Sequence, residues 1–96
     1  MTNGFLVTFP SSTGEPCFLV SPRRVGQPVT SHYPWARATF VGTLFATQDE
    51  AQSALDRMKG IHHYIAPECN GGLSKRLALA QVVEAGQVTG IEFEIL

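Results

Sequence analysis

The sequence predicts an α+β domain of two layers, with one helix packed on a face of an antiparallel sheet of about five strands. Three observations carry that expectation. Two short aromatic and β-branched runs, "FLVTF" and "CFLVS", are separated by turn residues. One segment, "TQDEAQSALDRMKG", carries a helix-start signal and a single apolar stripe. The run "VTGIEFEIL" alternates apolar and polar residues.

In chain order, Phe5 to Phe9 and Cys17 to Ser21 read as the strands of a hairpin. Pro10, Gly14 and Pro16 supply the turn chemistry between them. Ala38 to Ala46, "ATFVGTLFA", reads as a third strand, with Gly42 a bulge or a point of close packing. A helix is expected over about residues 48–59. Thr47 and Glu50 have capping-box spacing, in which each side chain satisfies a backbone N–H that the first turn leaves without a partner. Asp49 and Glu50 suit the positive end of the helix dipole. Ala51, Ala54, Leu55 and Met58 fall on one face, and Gly60 is a natural residue to follow the last turn. "IHHYI" reads as a short strand and "PECNGG" as loop. Residues 74–85 admit two readings. Val82–Val83 running into Ala85–Gly86 favour a second hairpin, while the Ser N-cap and helix formers of "SKRLALAQVVEAG" fit a helix. In the final strand Thr89, Ile91, Phe93 and Ile95 are expected to share one face and Gly90, Glu92 and Glu94 the other, with Glu92 and Glu94 facing solvent.

A chain of 96 residues is expected to form a single domain spanning residues 1–96, and it reads as a complete small gene product. With 44% hydrophobic residues it has enough apolar side chains to fold, and a net charge of −1 gives no field favouring nucleic acid or an anionic membrane. Its two cysteines, Cys17 and Cys69, are fewer than a small disulfide-stapled domain would carry, and nothing resembles a leader or a membrane span. A cytoplasmic protein without membrane association is expected.

No motif names a reaction. The ligand-type residues Cys17, His32, His62, His63 and Cys69 lack the spacing of a zinc site, so no metal and no cofactor is expected. Cys69 with His62 or His63 could in principle form a thiol–imidazole pair. However, Glu68 beside Cys69 disfavours the thiolate that such chemistry needs. Glu92 and Glu94 share a strand face, as carboxylates on solvated faces commonly do.

The segment "SPRRVGQPVTSHYPWAR", Ser21 to Arg37, carries three prolines, three arginines, Tyr33 and the only tryptophan, Trp35. It has neither helical nor strand periodicity. Tyr, Trp and Arg are the residue types most enriched at interface hot spots, and the prolines restrict the unfolded chain so that the loop is pre-shaped. The expected function is therefore non-enzymatic binding of a larger protein or nucleoprotein complex, with Arg23, Arg24, Tyr33, Trp35 and Arg37 as the binding residues. Trp35 has a second reading, as a cap on the small core. An alternative function is a small nucleic-acid-binding module that uses the same loop, its aromatics stacking bases and its arginines holding phosphates. A second alternative is an enzyme using Cys69 with His62 or His63. A homodimer is also expected, because an open strand edge such as "GIEFEIL" invites pairing with another chain.

A strand running into a T-x-D-E-A-x-x-A-L helix, "FATQDEAQSALDRMKG", within a short strand-rich chain resembles the small proteins of phages and mobile elements, the anti-CRISPR proteins among them. The resemblance implies an inhibitor that blocks a larger complex by binding its surface. It carries over no individual site residue.

Overall fold

A computed structural model describes residues 3–26, 35–63 and 73–95. The elements are β1 (Phe5–Pro10), β2 (Pro16–Val20), a 3₁₀ turn (Pro22–Val25), β3 (Ala36–Ala38), β4 (Val41–Leu44), α1 (Gln48–His63), α2 (Leu73–Leu77), β5 (Gln81–Glu84), a second 3₁₀ turn (Ala85–Gln87) and β6 (Glu92–Ile95). The fold is α+β. Four strands form an antiparallel sheet in the order β3-β2-β1-β5, and β4 and β6 form a separate parallel pair.

The β1–β2 hairpin forms as the turn residues predict. Thr8 pairs with Phe18 and Phe9 with Cys17, and the turn is closed by Ser11 N–H donating to the Glu15 carbonyl at 2.8 Å. This register sorts the side chains by face. Val7, Phe9, Cys17 and Leu19 point to one side, where Ala51, Ala54, Leu55 and Met58 of α1 bury against them. The predicted stripe is thus the packed face of the helix. Its start is also as expected, since the Glu50 N–H donates to Thr47 Oγ1 at 3.2 Å. The Glu50 carboxylate returns the bond one residue earlier than the usual box, to the Ala46 N–H at 3.2 Å.

Leu6 and Phe18 point to the other face, and the sandwich does not leave that face open. The β4–β6 pair lies across it, with Leu44, Val88, Ile91 and Phe93 packed on Leu6, Phe18 and Ala85. Gly42 makes the close approach feasible. A Cβ there would stand 3.0 Å from Leu6 Cδ2 and 3.2 Å from Phe18 Cβ, tighter than ordinary packing allows. Beyond β4 the chain rejoins the sheet, where Phe5 and Phe45 exchange both backbone hydrogen bonds at 2.8 Å.

Several local expectations are corrected. The run Ala38 to Ala46 is two strands, because the chain bends at Thr39–Phe40 to pass from the sheet to the covering pair. The helix does not stop at Gly60 but continues to His63, so Ile61, His62 and His63 are helical rather than extended. Residues 74–85 contain both predicted states, a short helix and then a strand. The second hairpin is absent: β5 pairs with β1, and β6 runs parallel to β4 with Val41 opposite Glu92 and Leu44 opposite Ile95. Glu94 accordingly is half-buried, its carboxylate accepting from Thr43 Oγ1 and from the Ser21 N–H, each at 3.2 Å.

Candidate functional site

The segment singled out by its composition begins with ordered structure. Pro22 opens the 3₁₀ turn, where its fixed φ and missing N–H suit a first helical position. Gly26 closes the turn at φ 74°, its N–H donating to the Arg23 and Pro22 carbonyls. The turn lays Val25 on the cluster of Val20, Ala36, Ala38 and Val41. Arg23 and Arg24 are thereby left exposed on the side of the sheet where β6 lies. Arg24 is not free there, because its guanidinium pairs with the Glu92 carboxylate.

At the other end of the segment the chain enters β3. Arg37 stands opposite Leu19 in register, on the helix side of the sheet. Trp35 belongs to the same side. It is half-buried and packs against Phe45, the ring centroids 5.4 Å apart and the planes tilted by 59°. The structure thus brings Trp35 and Arg37 to one face and the Arg23–Arg24 turn to the other. Tyr33, His32 and the rest of 27–34 lie outside the described residues, as does Cys69 of the thiol–imidazole alternative.

Trp35 is at once a core contact and the wall of a cleft. The cleft has a volume of about 870 Å³ and lies between the first turns of α1 and the ends of β4 and β6. Trp35, Leu44, Phe45, Ala54 and Ile95 give it apolar walls, and Asn3, Asp49, Glu50, Ser53 and Arg57 give it polar ones. Ile95 is 79% exposed there, high for a large apolar side chain. The helix stripe explains how the site is positioned: Ala54 is in contact with the core and also forms part of the wall, while Asp49, Ser53 and Arg57 follow along the adjoining helix surface. Sequence reasoning singled out Trp35 but not its partners Leu44, Phe45 and Ile95, which reach the cleft only through the crossing of β4 over the sheet.

Cys17, the described cysteine, is buried, and its thiol donates to the Phe9 carbonyl at 3.3 Å. Burial pushes its pKa above the ordinary thiol value, against the opposing pull of the Arg37 and Arg76 charges. It is therefore held as a neutral thiol at physiological pH. Among the described residues no group of His, Cys, Asp and Glu side chains is gathered to hold a metal, and no helix is long and apolar enough to cross a membrane. No family model matches the chain, and neither a curated protein nor a solved structure shows significant similarity to it.

Proposed function

We propose that this chain works without catalysis, by binding a larger protein or nucleoprotein complex through the Trp35 cleft and blocking part of its surface in the cytoplasm. The observation that carries the reading is the position of Trp35: half-buried, oriented by Phe45, and walling an open, largely apolar cleft. A large aromatic held rigid at the edge of a concavity is the usual anatomy of an interface anchor, since little further freedom is lost on binding. Asp49, Glu50 and Arg57 around the apolar walls supply the polar rim that excludes water and sets register. The inhibitory part of the proposal rests on the resemblance of "FATQDEAQSALDRMKG" to anti-CRISPR proteins. The nucleic-acid alternative has less support, because Arg24 is engaged by Glu92 and Arg37 faces away from the turn that carries Arg23.

The test compares capture of a partner from the native host by the parent chain, by Trp35→Ala and by Arg23→Glu, with melting followed in parallel. Trp35→Ala is expected to weaken capture by about 2 kcal/mol or more in affinity while the domain still melts cooperatively. Arg23→Glu, outside the cleft, is expected to capture as the parent does; loss of the fold in Trp35→Ala, or unchanged capture by a folded Trp35→Ala, would overturn the reading. A second copy of the chain is a further partner to test. Among the described residues β6 has a single strand neighbour, β4, and a sedimentation mass of one chain across micromolar concentration excludes the dimer.

A further inference from the structure

Asp49, Ser53 and Arg57 stand at every fourth position of α1 and line the Trp35 cleft as one ridge, with Glu50 and Ala54 beside it. The ridge changes sign along its length. Asp49 and Glu50 lie in the first helical turn, and Arg57 lies two turns further on, about 12 Å from Asp49 at the helical rise per residue. The Glu50 carboxylate is committed to the helix start, where it accepts from the Ala46 N–H. Asp49 and Arg57 are exposed, and among the described residues neither makes an ion pair or a side-chain hydrogen bond. They are too far apart to satisfy each other. Ala54 lies along the helix between the two charges, and Trp35, Leu44, Phe45 and the 79% exposed Ile95 make the remaining lining largely apolar.

We propose that the cleft binds an extended segment of a partner protein in which a Lys or Arg and an Asp or Glu stand four positions apart with an apolar residue midway. The basic side chain pairs with Asp49 and the acidic one with Arg57. This rests on the Trp35 cleft being the binding site and adds the chemistry of what enters it. In an extended chain, side chains at i, i+2 and i+4 share one face and span about 13 Å, which matches the distance between Asp49 and Arg57. The middle side chain then meets the apolar lining and covers Ile95. A helix needs about nine residues to cover the same distance, and each added residue costs backbone entropy to order. A second copy of the chain does not supply the segment, since none of its Lys or Arg residues stands four positions from an Asp or Glu. A nucleic-acid strand is opposed by the carboxylates of Asp49 and Glu50, which repel phosphate.

Trp35 is the only tryptophan of the chain, so its fluorescence reports the cleft directly. The experiment is titration of the full chain with acetyl-Ala-Lys-Ala-Leu-Ala-Glu-Ala amide and with variants of that peptide carrying Ala for Leu, Glu for Lys or Lys for Glu. A saturable change is expected with the first peptide. Ala for Leu should weaken binding about tenfold or more. Either reversed charge should weaken it about fivefold, as an exposed ion pair becomes a repulsion, and that difference should shrink as sodium chloride is raised. Arg57→Glu should bind the first peptide about fivefold more weakly and regain affinity for the peptide with Lys in place of Glu, a rescue that a purely structural effect would not show. Lys59→Gln, on α1 but outside the cleft lining, should titrate as the parent does. Equal affinity for all charge patterns, with Leu still required, overturns the proposal and leaves Trp35 as the anchor site. Tighter binding of a peptide whose charges stand eight residues apart replaces the extended segment by a helix and also overturns it. So does the lack of a saturable change with every peptide, and whether the Trp35 reading falls as well is read separately, from capture of the partner by Trp35→Ala.

Discussion

The two faces of the four-stranded sheet are closed by different means. On one side α1 lays Ala51, Ala54, Leu55 and Met58 on Val7 and Leu19, and this contact is apolar throughout. On the other, two short strands from distant parts of the chain cover Leu6 and Phe18, and polar bonds fix their position: Glu94 to Thr43 and Ser21, and Arg24 to Glu92. A helix satisfies its own backbone, so burial of its stripe is enough to dock it. A strand pair must also find partners for its N–H and C=O groups and its register, and polar side chains supply that selection. Adhesion holds the first face, and adhesion together with a hydrogen-bonded address holds the second.

Substitutions probe that difference in descending order. Leu55→Ala, at a position 1% exposed, should destabilise the domain by about 3 kcal/mol through lost burial and the cavity left behind. A loss below about 1 kcal/mol in urea denaturation would mean that the helix is not the main cover of its face. Gly42→Ala should cost about 1–3 kcal/mol, because the new methyl must push Leu6 and Phe18 apart. Retention of full stability there would show that the strand pair floats rather than seats. Thr43→Val keeps shape and removes the hydroxyl donor to a half-buried carboxylate, and about 1–2 kcal/mol should be lost. If Thr43→Val is neutral, Glu94 is satisfied by other groups and the polar address is dispensable. Thr47→Ala should cost about 1 kcal/mol as the helix loses its cap, measured by the same denaturation.

The smallest expected effect is pH dependence at Cys17. Burial raises its pKa in the folded state, so above the titration of a free thiol, about pH 8.5, the folded chain holds the proton and the unfolded chain releases it. Stability therefore falls as pH rises through that range. Cys17→Ser keeps a donor for the Phe9 carbonyl and should remove that part of the slope. Identical alkaline slopes for the two proteins would contradict the buried neutral thiol.

The helix face was the legible one. Thr47, Glu50 and the stripe of α1 act within a few turns of chain, and the β1–β2 hairpin is closed by its own turn, so local chemistry determines both. Gly60 misled because a C-terminal glycine permits a stop without forcing one. Nothing lies within 4 Å of where its Cβ would be, and the helix continues through it. The β6 pattern correctly described an extended segment, but alternation does not name a neighbour. Ala85–Gly86 looked like a hairpin, yet the strand edge available to Glu92–Ile95 is that of β4. The same non-locality hid the Trp35 cleft. Trp35 stood out by type, but Phe45 and Ile95 beside it did not.

The parallel β4–β6 pair has a consequence for how the protein is made. On a ribosome, residues 5–63 supply β1, β2, β3, β4 and the whole of α1, so the apolar helix layer can assemble while synthesis continues. Leu6 and Phe18 still lack Phe93 and Ile91 at that stage, and Thr43 lacks Glu94. The nascent chain therefore carries an apolar sheet face covered by β4 alone until residues 92–95 emerge, and completing the cover requires the joining of segments some fifty positions apart, a slow kind of contact. During that interval the face is open to chaperones and to other nascent chains, so the yield of soluble protein should depend on translation speed more than the equilibrium stability of the finished fold would indicate.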